Sequence, residues 1–276
     1  MTSETDLTRA LAARYSDAPT ASADAATLIQ SMAVRGSCRN FAARPVPDAV
    51  LDMLCAVALA SPTKSDLQQR DIVVLKSLEL RAQLAQLVAG QAWVADAPML
   101  LVFCGNNRRQ RMLHTWRRVP FANDHLDAVI NATADAAIAL GAFVTAAEAL
   151  GLGCCPISAV RNDAEAVSDL LGLPDHVFPF AGLALGYPAT PPPISKRLPM
   201  HVTCHVDRYQ EDGLREAVAA YDKDRAATQP YGKQRFVEQF GQSDTYGWSE
   251  DKTRQYSAPE RAGFGAYIRK RGFCLD

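Results

Sequence analysis

Two arginines four residues apart enclose a serine in RGSCRNF, residues 35–41, directly after an expected helix. These are side chains that a phosphate group can use. A guanidinium offers a planar fork of donors, and a lysine adds a compact point charge. Lys196 and Arg197, in KRLP, bring the same chemistry from the far end of the chain. Arg35, Ser37, Lys196 and Arg197 can therefore assemble a phosphomonoester site; taken one at a time they read equally well as solvated surface cations. Three more runs stand out: SPTKSDLQ at 61–68, GLGCCPISAVRN at 151–162 and GNNRRQRMLHTWRRVP at 105–120. The last holds Arg108, Arg109, Arg111, Arg117 and Arg118 with no acid, beside Trp116. It suits an anionic substrate or a nicotinamide phosphate, or else forms a solvated loop face.

Other chemistries are missing or incomplete. No GxGxxG, P-loop, GxSxG or HExxH pattern occurs, which removes the usual dinucleotide fold, phosphotransferase, serine hydrolase and zincin readings. His201, Cys204 and His205 form an incomplete ligand set beside a proline-rich arm, and no metal is expected there. The seven cysteines are odd in number and contain no CxxC pair, a usage that fits reduced thiols in a cytoplasmic protein. Vicinal Cys154 and Cys155 would face opposite sides of a strand, so packing suits them better than a strained disulfide. A formal net charge of −1 draws the chain neither to nucleic acid nor to an anionic membrane.

The elements that must position these residues follow from periodicity. The 276 residues are 48% hydrophobic and 21% charged, a globular composition with ample length for a sizeable core. Helices are predicted over 25–34, 48–60, 78–88, 161–171, 207–224 and 259–271, the fourth with Asn162 and Glu165 in capping-box spacing. Strands are predicted over 71–76, 98–104, 154–158 and 177–186. The longest helix, over 124–150, has too many apolar positions for a single-faced surface helix and should be buried on several sides, including a subunit contact. Within the apolar stretch 136–157, Glu148, Gly151 and Gly153 argue against a membrane span. The prolines of 187–199 leave only an extended arm. Residues 229–247 read as a loop that orders on ligand binding, and residues 1–24 as a flexible N-terminal extension. The fold class is α+β, with a mixed, mainly antiparallel sheet flanked by helices.

In their order and spacing, RGSCRNF, SPTKSDLQ, GLGCCPISAVRN and KRLP, followed by Trp248-Ser249 and YIRKRGF at 267–273, resemble the nitroreductase family of FMN enzymes. The similarity is to the branch of the oxygen-insensitive nitroreductases and flavin reductases, and it spans about 27–273. It implies one FMN-binding domain over 25–276 and an obligate homodimer with a domain-swapped C-terminal extension and two FMN sites at the interface. By that resemblance Arg35, Ser37, Lys196 and Arg197 hold the FMN phosphate, with the family lysine offset to Ser195. Arg39, Thr63, Ser65 and Gln91 face the pyrimidine end of the flavin, and Ile157, Ser158 and Ala159 its central ring near N5. The implied reaction is ping-pong hydride transfer from NADPH or NADH to a small nitroaromatic, quinone or flavin acceptor. The chemistry resides on the cofactor, and no catalytic side-chain acid or base is required.

This chain departs from the family pattern at three places. Ser158 and Ala159 replace paired glycines and add a hydroxyl near N5. Lys64 puts a cation in the ring segment. The loop 229–247 lacks the arginine pair used for the extra phosphate of NADPH, leaving Lys233 and Arg235, whereas Arg261 matches a basic family position. Two alternatives therefore stand beside the plain reductase: a specialised FMN reductase, such as a reductive dehalogenase working by one-electron steps tuned by Ser158, and a flavin-binding protein without turnover.

Overall fold

The computed structural model describes residues 9, 12, 13, 15–17, 27–88 and 91–276. The expected extension over 1–24 lies largely outside the described residues, as do positions 25 and 26 of the first expected helix. In chain order the elements are α1 (Thr27–Val34), α2 (Asp48–Leu59), β1 (Arg70–Leu75), α3 (Leu78–Leu87), β2 (Met99–Asn106), α4 (Arg108–Arg117) and α5 (Leu126–Ala149). They continue as β3 (Gly153–Ile157), α6 (Ala164–Leu171), β4 (Val177–Gly186), α7 (Met200–Thr203), α8 (Leu214–Thr228), α9 (Val237–Phe240), α10 (Trp248–Gln255) and α11 (Phe264–Lys270). Contacts divide the chain into two units. One comprises Met1–Arg35 and Pro193–Glu260, the other Gly36–Pro192 and Arg261–Asp276.

The second unit holds the sheet, in the order β1-β2-β4-β3. All its pairings are antiparallel, so the mainly antiparallel character expected is present, while no parallel pairing of a mixed sheet occurs among the described residues. Alternation along β2 explains why its sequence is apolar throughout. Leu101 and Phe103 join one core with Leu51 and Leu54 of α2 and Phe143 of α5. Leu100 and Val102 join a second core with Leu84 of α3 and Val167 of α6. With helices on both faces, all eight residues of β2 are buried, and the unit is a three-layer α+β domain.

At 24 residues, α5 is about 36 Å long, and it passes the length and composition of a membrane span. In the fold it packs along α2 and the sheet through Ala132, Ala136, Ala139 and Phe143. Ile130 and Ile138 stay exposed, as do Met53 and Val57 on α2. Residues 108–117, read in the sequence as loop, form a helix ended by Arg118 in the left-handed region at φ 55°. The cap of α6 is also displaced from the predicted Asn162: Asp163 accepts from the Ala166 N–H at 2.9 Å.

In the first unit, α8 runs from Leu214 to Thr228 and not over 207–224. The segment 229–247, expected to order on ligand binding, is held by side chains of its own unit. Gln234 and Ser243 bond reciprocally. Buried Arg254 donates to the carbonyls of Arg235 and Gly241, both at 2.9 Å. Buried Asp251 accepts from Arg235 Nε at 3.1 Å and from the Tyr246 hydroxyl at 2.9 Å.

Candidate active site

The segment from Thr63 to Gln69 has an unusual backbone. Ser65, Asp66 and Gln68 all take positive φ, at 48°, 56° and 51°, where a Cβ costs about 1–2 kcal/mol per residue. Such strain persists only if the surroundings over-determine it. The principal restraint is Asp135, fully buried in the middle of α5, whose two carboxylate oxygens accept from the Lys64 N–H at 2.9 Å and the Gln69 N–H at 2.7 Å. Arg109 and Gln110 of α4 add bonds to the carbonyls of Gln68 and Leu67, at 2.7 and 2.9 Å. Lys64 and Ser65 are exposed and border a polar cavity of about 270 Å³.

A second group of predicted residues lies along the β3 edge. Cys38 donates its backbone N–H to Cys154 at 3.0 Å, and it packs so closely on Gly153 that a Cβ at 153 would stand 2.6 Å from Cys38 Cβ and Sγ. Burial raises the Cys38 thiol above its ordinary range, leaving a neutral packing group between two polar residues. The Ser37 hydroxyl engages no partner among the described residues, while the Arg39 guanidinium lies over the Trp93 ring at 5.8 Å. That contact brings Arg39 to the turn that carries half-buried Gln91. At the end of β3, Ile157 and Ala159 bury their side chains in the second core and offer only backbone groups. Ser158 is exposed, with its hydroxyl unpartnered among the described residues.

Register separates these two groups within one chain. β1 and β3 are opposite edges of the sheet, three interstrand spacings or roughly 14 Å apart. Arg70, at the start of β1, pairs with Gly105 at one end of β2, whereas Gly153 pairs with Gly186, next to the opposite end. Ser37 and Arg39 therefore lie beside β3, which carries Ile157 at its end, whereas Lys64 and Ser65 sit where β1 begins and β2 ends, beside Asn107 and Gln110 and against Asp135 of α5.

The phosphate candidates Arg35, Lys196 and Arg197 belong to the first unit. The Lys196 ammonium is ion-paired with Asp224 and its carbonyl accepts from the Tyr221 hydroxyl at 3.1 Å. Arg197 is exposed and reaches only the carbonyls of Ser195 and Lys196. Both line a cavity of about 460 Å³ together with Arg225, Tyr231, Trp248 and Lys252. Arg225 escaped the sequence reading because the expected helix stopped at 224; its spacing from Tyr221, one helical turn, was the available signal. Its guanidinium bonds the Tyr221 hydroxyl at 3.2 Å and stacks over Tyr231 at 5.3 Å. Of the cations proposed for an extra phosphate, Arg235 is engaged by Asp251, and Arg261 donates to Asn162 at 3.1 Å.

Residues 32–187 match the nitroreductase family and residues 195–276 its C-terminal domain. The chain belongs to the nitroreductase family. It is 30% identical over 254 residues to an NAD(P)H-dependent FMN reductase of Bacillus subtilis, covering 90% of this chain and 98% of that relative. It is 32% identical over 237 residues to the oxygen-insensitive NADPH nitroreductase of Salmonella typhimurium, covering 86% and 94%. Among solved structures, the NADPH:FMN oxidoreductase of Vibrio harveyi in complex with NAD+ superposes with a TM-score of 0.78 at 29% identity, covering 90% of this chain and 98% of that one. The nitroreductase fold thus accounts for both the antiparallel sheet and the C-terminal helices.

Proposed function

We propose that this member of the nitroreductase family is an FMN-dependent NAD(P)H oxidoreductase that reduces nitroaromatic, quinone or flavin acceptors in a ping-pong cycle. The observation that carries the proposal is the strained 63–69 loop held by buried Asp135: a rigid, exposed wall of small donors is what a planar ring needs beside it. The described residues also fit a phosphate, since Arg197 and Arg225 line one cavity and neither is ion-paired with a carboxylate among them. When bound, FMN supplies reversible two-electron, hydride-accepting chemistry. Arg197, with Arg35 and Ser37, orients its phosphate; Arg39 and Gln91 donate toward the pyrimidine end; the backbone at 157–159 donates toward N5.

Thr63, Lys64 and Ser65 then act on the ring bound by a second copy, because in their own chain Lys64 and Ser65 lie where β1 begins, beside Asn107, Gln110 and Asp135, and not beside β3, the opposite edge strand. We therefore assign a homodimer whose two sites are each completed by the partner, with the C-terminal segment exchanged between copies. Exposed Ile130 and Ile138 on α5, with Met53 and Val57 on α2, supply apolar surface for such an interface. The free hydroxyl of Ser158 keeps a specialised FMN reductase as a second reading, in which Ser158→Ala changes the acceptor profile while FMN binding is retained.

The test is direct. The purified protein should be yellow, release FMN and not FAD on denaturation, and sediment as a dimer at low micromolar concentration. Stopped-flow mixing with NADH and NADPH should bleach the flavin, and acceptors should restore it with turnover. A colourless protein that cannot be reconstituted with FMN refutes the proposal; reduction without turnover over a broad acceptor panel leaves a flavin-binding protein only.

A further inference from the structure

The polar cavity beside the 63–69 loop holds a cation that nothing around it neutralises. Lys64, Ser65, Phe121, Asn123 and Asp127 are on its lining. The Lys64 ammonium donates to the Ser65 hydroxyl at 3.0 Å, which uses the oxygen as an acceptor and leaves the hydroxyl hydrogen free to donate elsewhere. An ammonium and a hydroxyl, both on exposed residues, thus stand side by side as donors. Their backbone is fixed: the Lys64 N–H is bonded to buried Asp135 at 2.9 Å, and Ser65 is held at φ 48°.

The acids nearby are engaged elsewhere. Each oxygen of Asp135 already holds a backbone amide, and Asp66 accepts from Gln68 Nε2 at 3.2 Å. Asp127 does line the cavity, but it accepts from Asn131 Nδ2 at 2.7 Å and sits in the first turn of α5, where the positive end of the helix offsets its charge. It makes no ion pair with Lys64 among the described residues. Alongside runs α4, whose Gln110 and His114 reach the same cavity. Asp71 and Asp124 neutralise its Arg109 and Arg111, whereas Arg108, Arg117 and the capping Arg118 meet no acid among the described residues. The cavity measures about 270 Å³, at the small end of ligand sites, about 300–1,000 Å³, so it suits one ring or its substituent and not a flavin. Phe121 supplies an aromatic wall, set edge-to-face on His114 at 5.1 Å.

We propose that the Lys64 ammonium and the Ser65 hydroxyl form an anion subsite that selects, among acceptors, monocyclic aromatic compounds bearing a carboxylate. The inference rests on the reading above, in which both residues border the flavin, so that an acceptor lying against the ring reaches the pair with its substituent. A carboxylate presents one oxygen to each donor, and its bonds to them are charge-assisted. The unpaired arginines of α4 raise the local concentration of such an anion at the cavity without touching it.

The experiment uses the full-length, flavin-loaded protein and compares wild type with Lys64→Met, Lys64→Arg, Ser65→Ala and the double variant Arg117→Gln/Arg118→Gln. Benzoate and benzamide, which are not reduced, are titrated by calorimetry; 4-nitrobenzoate and 4-nitrobenzamide are compared as a ratio of kcat/KM, which cancels any change in the flavin itself. Wild type should favour the carboxylate in both measurements. In Lys64→Met that preference should fall about threefold to tenfold, the range for a hydrogen-bonded ion pair open to solvent, and Lys64→Arg should restore most of it. Ser65→Ala should lower it about twofold to fivefold. The double variant should lose part of the salt dependence of kcat/KM for 4-nitrobenzoate, with 4-nitrobenzamide unaffected. A wild type that binds and reduces the two members of each pair alike overturns the subsite, as does an unchanged preference in Lys64→Met; an unchanged salt dependence in the double variant overturns the part given to α4. If neither nitro compound is reduced, the reductase reading fails, and the benzoate and benzamide titrations alone decide the anion subsite.

Discussion

Replacing Asp135 by alanine should disorder the 63–69 loop while leaving the domain folded. The carboxylate accepts two backbone bonds, from Lys64 and Gln69, and bonds to a charged acceptor contribute about 1.5–3 kcal/mol each. The substitution therefore removes roughly 3–6 kcal/mol of local restraint. Against this, Ser65, Asp66 and Gln68 would be freed from left-handed backbone, recovering about 1–2 kcal/mol apiece. The two sums largely cancel, so the loop relaxes while global stability falls by no more than about 3 kcal/mol, inside the usual 5–15 kcal/mol of a folded domain. Hydrogen exchange should show the Lys64 and Gln69 amides losing protection, with little change in β2, and urea unfolding should keep its slope. The acceptor KM should rise, because the exposed wall formed by Lys64 and Ser65 is no longer fixed. Unchanged protection of both amides would refute the reasoning, as would a loss of the full 6 kcal/mol with the loop still ordered.

Two further outcomes are expected. Gly153→Ala places a methyl 2.6 Å from Cys38 Cβ and Sγ, an overpacking that typically costs 1–3 kcal/mol; urea midpoints should fall and FMN affinity should weaken as Ser37 and Arg39 are displaced, whereas an unchanged midpoint would mean that the close approach relaxes freely. The second concerns pH and the 229–247 loop. Burial opposes the charge of Asp251, but hydrogen bonds from Lys252 and Tyr246 outweigh it and hold the carboxyl below its ordinary value. A depressed folded-state value means that the contribution is complete above about pH 4, the ordinary carboxylate value, and is lost as pH falls through the lower one. Limited proteolysis of 229–247 should stay slow down to about pH 4 and accelerate below it, and Asp251→Asn should be cleaved readily at neutral pH; equal protection of that variant would show that Asp251 is not the anchor.

Much of the architecture was legible in the chain itself. The continuous apolar run of β2 required a strand covered on both faces, because hydrophobic period and burial are coupled locally; α5, expected to be buried on several sides, instead buries one stripe from Ala128 to Ala147 and leaves Ile130 and Ile138 exposed. The order and spacing of RGSCRNF, SPTKSDLQ, GLGCCPISAVRN and KRLP pointed to the nitroreductase family, to which residues 32–187 and 195–276 match. Other features depended on partners remote in sequence. Nothing in the sequence singled out Asp135, and only the fold brings the amides of Lys64 and Gln69, 71 and 66 residues away, onto its oxygens. The ion pair of Lys196 with Asp224 of α8 was not legible in the sequence, and Arg225 became visible as a cavity cation once Tyr221 and Tyr231 surrounded it. The placement of RGSCRNF beside β3 and of Lys64 and Ser65 at the start of β1 was likewise invisible in the linear order, because strand order and register are set by packing among all four strands and their covering helices. Local pattern determined which elements form; the pairing of charges, the strain held in the loop and the separation of the two site halves were decided by long-range contacts that no spacing along the chain encodes.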